Sequence, residues 1–560
     1  MADRLPVASF HRREALALGC GALFGPALLA GSATAQTKDA GADGPAIQDF
    51  LSKAEAAKPM LREEVQTPIG LIEPVVDPAQ QLGWQIRPSG TAADMEARVL
   101  QTGESFIIDF GGHRTGYLSF DLLGVGRNVD APARLRFVFG EVISDVAEPL
   151  HPYKGWLSEA WLPEEVVTID YLPQAVKLPR RYAFRFVKVE VIAASSSFGV
   201  SFRNVRVRAV TSAPATPLPP LPASFPDDLK RTDAVAAATL RDCMQTVFED
   251  GPRRDQRLWT GDLYLQALTS YAAMRNDALV RRCLYLLAAF PRADGLLPGD
   301  VFEYPVPSRA NDFPYDYAAL FAVTLADYVD ATGDTGTGAD LWPTALRQLQ
   351  LLSALVGEDG LFVTPPGVWV FVDWHDTLDR SAAMQGILIF ALKRLHRLGR
   401  ALGRSADVAA FPARIAMMEK AALSHFYDAK DKVFTSGPEH QVSLASQAWM
   451  TLAGVGSKRL HAAALRAALA RPATVRPRTP YLNHYVVEAL FQANCADEAL
   501  KMMRAYWGGM LAAGADTFWE AYSPENPRIA PYGDFHVNSF CHAWSCTPSY
   551  LLRRYAKQIM

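Results

Sequence analysis

The chain has 560 residues, of which 49% are hydrophobic, 21% charged and 10% aromatic, with a formal net charge of −3. This composition excludes disordered, collagen-like and coiled-coil proteins, and the near-zero charge leaves no electrostatic footprint for nucleic acid or an anionic membrane surface. A chain of this length exceeds what one hydrophobic core usually serves, so two to four domains are expected.

Residues 1–35 read as an export signal. Arg12 and Arg13 precede the apolar stretch LALGCGALFGPALLAG, and Ala33-Thr34-Ala35 supplies a small-residue exit. The arginine pair fits a twin-arginine signal, and the apolar stretch is short for a membrane span. The expected mature protein is therefore periplasmic or secreted, with no membrane span left after cleavage. Loss of Cys20 leaves Cys243, Cys283, Cys495, Cys541 and Cys546. So sparse a set, without metal-ligand spacing, predicts neither a disulfide framework nor a metal site, and no cofactor motif is found. Burial as small apolar side chains is the default for these cysteines.

After a polar segment at 36–60, period-two alternation dominates residues 61–211. Leu135, Phe137 and Phe139 alternate with Arg134, Arg136 and Val138, and Val187, Val189 and Val191 alternate with Lys188 and Glu190. Val205 and Val207 alternate with Arg206 and Arg208 in the same way. Such runs predict half-buried antiparallel strands, and several at short spacing predict a jelly-roll-like β-sandwich. The proline-rich segment 212–228 can continue neither regular structure and marks a domain boundary. From 229 to 560 the period becomes helical. Roughly twelve candidate helices without a short internal repeat predict an all-α toroid of helical hairpins, whose rim loops carry the site.

Acids and tryptophans gather in three of those loops. EDGPRRDQRLWTGDLYLQAL (249–268) packs Asp250, Asp255 and Asp262 with three arginines and Trp259 between two helices. Asp262 alone reads equally well as a helix N-cap, but an exposed loop has little use for a tryptophan among three acids. GVWVFVDWHDTLDR (367–380) sets Asp373, His375 and Asp376 beside Trp369 and Trp374. DTFWEAYSPENPRIAPYGDFHVNSFCHAW (516–544) holds Trp519, Glu520, His536, His542 and Trp544. Acid-plus-tryptophan loops suit a carbohydrate partner: aromatic faces stack on a pyranose, some acids bind hydroxyls, and two more perform general acid–base chemistry.

These motifs resemble, in order, those of the bacterial α-L-rhamnosidases of glycoside hydrolase family 78. DGPRRDQRLWTGD is similar to the family's D-C-P-x-R-…-E-R-x-G-W-x-G-D signature, VDWHD to its Gly-Asp-Trp loop, and TFWE…NSFCHAW to its T-x-W-E…S-F-N-H-Y segment. YVDATGD (328–334) resembles a helix end of the same barrel. FIIDFGGHRTGYLSF, VFGEV and RRYAFRFVKV resemble the β-sandwich that precedes it. The resemblance implies an (α/α)6 barrel at 229–560 and an inverting hydrolase acting on terminal α-L-rhamnosyl or related deoxy-sugar linkages. It further implies Asp255, seven residues before the closing Asp262, as general acid, and Glu520 as general base. Asp250, Arg254, Trp259, Asp262, Asp373, Trp374, Trp519 and His542 then fall to substrate binding. The chain departs from the pattern at Gly251 (Cys in the family), Asp255 (Glu) and Val372 (Gly), and the Gly before Trp259 is missing. These departures put the sugar in question. A polysaccharide lyase acting next to a uronic acid, or an inactive sugar-binding relative, would use the same barrel.

Overall fold

The computed structural model describes residues 45–130 and 132–560. The expected export signal at 1–35 lies outside the described residues. Within the expected polar segment 36–60, Pro45–Ala56 is a helix. Polar composition hides its apolar stripe: Phe50 packs 5.7 Å from the ring of Tyr285, Ala54 is buried, and Lys53 pairs with Asp340 at 2.7 Å.

Nine strands between Arg62 and Thr211 form one antiparallel sheet. Its hub is Ser105–Gly126, 22 residues long, which pairs with Tyr182–Ala193 along its first half and with Phe198–Thr211 along its second. The alternation seen in sequence is the inside–outside alternation of the sheet. Leu135, Phe137, Phe139, Val187, Val189, Val191, Val205 and Val207 all enter one apolar core. Val138 points the other way and is buried as well, because Ile143, Val146 and Phe186 cover that face. The hub's register shifts between Asp109 and Arg114, where Gly111 adopts φ +77°. Irregularities of this kind re-aim side chains, and this one carries His113.

Among the described residues, twelve helices of seven residues or more between Asp227 and Arg554 make the six-hairpin barrel. The inner ring runs through Thr260–Ala272, Tyr315–Thr332, Ser381–Ala401, Leu444–Leu452, Pro480–Gln492 and Pro548–Arg554. Inner and outer helices differ in sequence as burial requires. Tyr315–Thr332 buries every residue from Asp316 to Val329, whereas outer Lys458–Ala470 buries only His461, Ala464, Leu465 and Ala468. A helix apolar on all sides needs neighbours all round; a single stripe needs one. The Tyr550 hydroxyl donates to Glu488 at 3.0 Å between the last inner helix and its neighbour. No helix among the described residues is long and apolar enough to cross a membrane.

Sheet and barrel meet across a buried polar seam. His113 touches Asp242 at 2.7 Å with Nδ1 and Glu141 at 2.9 Å with Nε2, with Cys541 beside them. Two ligands on one zinc would stand about 3.3 Å apart at ordinary bond lengths, so the 2.7 Å spacing is that of a hydrogen bond. Arg253 donates to Asp145 at 2.7 and 3.1 Å, and Arg185 joins Asp109 to Asp516. His536 lies between Asp145 and Glu148, each 3.5 Å away. The five cysteines at 243, 283, 495, 541 and 546 are buried and unbridged.

Removing one partner from a buried ion pair leaves the other charge without compensation. Arg253→Ala should therefore cost about 3–5 kcal/mol, read as a lowered denaturation midpoint. Burial alone would lower the His536 pKa, but its hydrogen bonds to Asp145 and Glu148 raise it to about 9. A free imidazole titrates near ~6.5, so the charged form stabilises the fold fully below that pH and ceases to do so as pH rises through about 9. The wild-type Tm should thus fall more steeply over this window than that of His536→Gln, as differential scanning calorimetry would register.

Candidate active site

The loop after Asp227–Cys243 is closed by its own backbone. Asp250 N–H donates to Arg257 O at 2.9 Å, and Arg257 N–H donates back to the Asp250 carboxylate at 3.1 Å. Inside this ring Gln256 adopts φ +53° and its N–H bonds to Gly251 O, forming a tight turn that presents Asp255. Gly251 stands where the resemblance has Cys, and the space explains it: a Cβ there would meet Ser539 Oγ at 2.5 Å. Trp259 then pairs with Asp300 in a short strand and occupies the N-cap position of Thr260–Ala272. Asp262 is therefore not the cap. It sits in the helix's first turn, buried, with Oδ2 unpartnered.

Three rim segments converge on one cavity, lined by Asp250, Asp255, Trp259, Asp262, Tyr317, Trp369, Phe371, Trp374, Glu520, Tyr532, His542 and Trp544. Glu520 is held by five donors or acceptors, Arg254 among them. Its N–H reaches Ser539 O, its carboxylate accepts from Ser539 N–H at 3.2 Å and from the Tyr532 hydroxyl, and its carbonyl accepts from Trp544 Nε1. Arg254 links the two sides of the site, donating through Nε to Asp255 at 3.3 Å and through Nη2 to Glu520 at 3.2 Å. The two carboxylates differ in access: the Asp255 side chain keeps 18% of its surface, that of Glu520 only 3%.

Burial sets the charge state of the remaining groups. It pushes the Asp250 and Asp262 carboxyls well above their ordinary range, and Asp255 adds to both shifts by like-charge repulsion. Burial, followed by the nearby Arg254 cation, holds His542 well below its usual value, so its ring is neutral. The His542 Nδ1 and Asp262 Oδ2 are buried without hydrogen-bond partners among the described residues, 3.7 Å from each other. Unpaired buried polar atoms are costly, and a polyhydroxylated ligand in the cavity would satisfy them.

Of the residues assigned a catalytic or binding role from the sequence, Asp250, Asp255, Trp259, Asp262, Trp374, Glu520 and His542 line this cavity, and Arg254 bridges its two carboxylates. Two others lie elsewhere. Asp373 spends both oxygens on Arg478 N–H, Thr479 N–H and the Thr479 hydroxyl, holding the start of Pro480–Gln492. Trp519 is core, packed between Tyr522 and Phe540. Tyr317, Phe371 and Tyr532 were not anticipated as lining. Tyr317 comes from the first turn of an apolar helix, where sequence offers no signal. Val372 takes φ +53°, the left-handed region that suits the Gly of the resembled motif. Both Asp316 oxygens accept from the N–H groups of Phe371 and Val372 at 3.0 Å, which supports that backbone.

Two family models match the chain: the glycosyl hydrolase family 78 α-rhamnosidase N-terminal domain over residues 68–209, and the bacterial α-L-rhamnosidase six-hairpin glycosidase domain over 226–556. The chain belongs to this family. It is a glycoside hydrolase of the α-L-rhamnosidase type. A rhamnosidase from Klebsiella oxytoca with rhamnose bound is similar with a TM-score of 0.88 and 42% identity, over 91% of this chain and 99% of that one. The family 78 rhamnosidase of Bacillus sp. GL1 shares the fold at 22% identity and a TM-score of 0.70, over 84% and 49% of the two chains. An α-L-rhamnosidase of Streptomyces avermitilis complexed with L-rhamnose shares it at 17% and 0.62, over 89% and 44%. No curated protein sequence matches.

The cavity wall leaves no slack at Gly261, where an added Cβ would lie 2.3 Å from the Tyr317 ring. Gly261→Ala must displace that ring, an overpacking that should cost about 1–3 kcal/mol, seen as a lower Tm with the fold retained by circular dichroism.

Proposed function

We propose that this protein hydrolyses terminal α-L-rhamnosyl linkages with inversion, using Asp255 as general acid and Glu520 as general base, and that it is exported to the periplasm or beyond. The export reading rests on residues 1–35 alone. The observation that carries the catalytic reading is the asymmetry of two carboxylates in one cavity. Asp255 keeps solvent access and has, among the described residues, a single side-chain tie, to Arg254, so it suits the side where a leaving oxygen must depart. Glu520 is buried and accepts from Arg254, Tyr532 and Ser539 N–H, so it stays oriented as an acceptor for a water proton.

Inversion needs one group to donate a proton to the glycosidic oxygen while the other takes one from water on the opposite face. The oxocarbenium-like transition state carries positive charge, which the Glu520 carboxylate beside it stabilises. The lyase alternative is disfavoured because a uronate would enter beside the Glu520 carboxylate with Arg254 already engaged by Asp255 and Glu520. The aromatic wall of Tyr317, Phe371 and Trp544 suits the methyl-bearing face of a deoxy-sugar.

Proton NMR of an aryl α-L-rhamnoside digest should show the inverted anomer of rhamnose first. Asp255→Asn should lower kcat by about 10²–10⁴-fold on a poor leaving group and by less on a good one. Glu520→Gln should lower it on both alike. Near-full activity of Asp255→Asn on the poor leaving group, or a retained anomer, would overturn the assignment.

A further inference from the structure

A terminal sugar seated among the cavity's acids carries its attached group toward the solvent-open side, where Asp255 keeps access. The sheet supplies a surface there. Between the strands Ala133–Gly140 and Glu164–Ile169 the chain leaves the sheet and returns, and this excursion is fastened to the barrel at the edge of the cavity. Trp156 N–H donates to Tyr532 O at 2.9 Å, its indole Nε1 donates to Pro531 O at 3.3 Å, and Lys154 N–H donates to the Asp534 carboxylate at 3.1 Å. The Trp156 ring lies 5.6 Å from that of Tyr532, and Tyr532 in turn lies 5.9 Å from Trp374. Tyr532 and Trp374 line the cavity, and the Tyr532 hydroxyl bonds to Glu520. An unbroken run of three rings thus leads from the sugar pocket onto the sheet's loop.

Trp156 is 66% exposed at the end of that run. An exposed apolar side chain by itself needs no explanation. Here, however, the backbone is pinned at Lys154 and at Trp156 itself and the indole N–H is already bonded, so a large apolar surface is presented to water in a fixed position. A preorganised ring surface loses little entropy when another ring is laid on it.

We propose that Trp156 is the platform of the leaving-group subsite, stacking on a flat ring, pyranose or aryl, attached to the rhamnosyl unit. This rests on the rhamnosidase reading above. Under it the sheet domain contributes directly to substrate choice, and the enzyme prefers rhamnosides whose leaving group presents a ring face.

The test compares Trp156→Ala with wild type on methyl α-L-rhamnoside, 4-nitrophenyl α-L-rhamnoside and a rhamnosyl-α-1,6-glucoside, each as a ratio of kcat/KM so that leaving-group chemistry cancels. The ratio should fall about tenfold on the ring-bearing substrates and by less than about twofold on the methyl glycoside. Inhibition by free rhamnose should be unchanged, and Trp156→Phe should keep most of the activity. A fall confined to the aryl or to the sugar substrate supports the platform and names the ring it takes. An equal fall on all three, or weaker inhibition by rhamnose, would overturn it by showing that Trp156 acts through Tyr532 on the sugar pocket. No fall on any substrate would overturn it too. Wild type inert toward every rhamnoside is a separate result: it refutes the rhamnosidase reading, and the subsite with it.

Discussion

Arg253 and Arg254 are neighbours in sequence and tie one loop to different partners. Arg253 donates to the sheet's Asp145 and to the carbonyl of His536, while Arg254 donates to Asp255, Glu520 and the carbonyl of Val537. The first guanidinium fastens the loop to the sheet and the second sets the loop against the segment that carries Glu520. Both are buried, so each is worth keeping only with its partners in place. The site therefore depends on the seam between sheet and barrel as much as on the barrel, and the loop bearing Asp255 is held from both sides of it.

The same burial that makes these pairs obligatory governs the chemistry of the cavity. Asp250 and Asp262 are pushed up by desolvation, which limits the negative charge that the pocket must carry at neutral pH, and His542 is kept neutral. What is left is a cavity with aromatic walls, few fixed charges and unpaired polar atoms, a combination suited to an uncharged polyol. The (α/α)6 ring makes such a site possible because its inner helices exclude water on all sides while its rim loops stay free to differ.

Much of the organisation was legible in the chain. Alternation over Leu135–Phe139 and Val187–Val191 predicted strands because one face of a sheet must be dry, and it erred only in treating Val138 as a solvent-side residue, since a second layer covers that face. The loops at 249–268 and 516–544 stood out because tryptophan among acids is expensive in water. Asp373 and Trp519 belonged to the same kind of pattern and went elsewhere, one to hold a helix start and the other into the core. Residue type and spacing cannot distinguish an acid that faces a cavity from one that caps a helix a hundred residues away.

By itself the sequence determined the classes of element, their order, the family to which the motifs belong and the pair of carboxylates on separate loops, because periodicity and local motif spacing are properties of neighbouring residues. The tertiary structure alone decided that Arg254 spans Asp255 and Glu520, that Tyr317, Phe371 and Tyr532 complete the wall, and that a loop of the sheet brings Trp156 to its edge. Those relations join segments up to hundreds of residues apart, and nothing in a linear pattern encodes a distance that arises only when the ring of helices closes and the sheet docks against it.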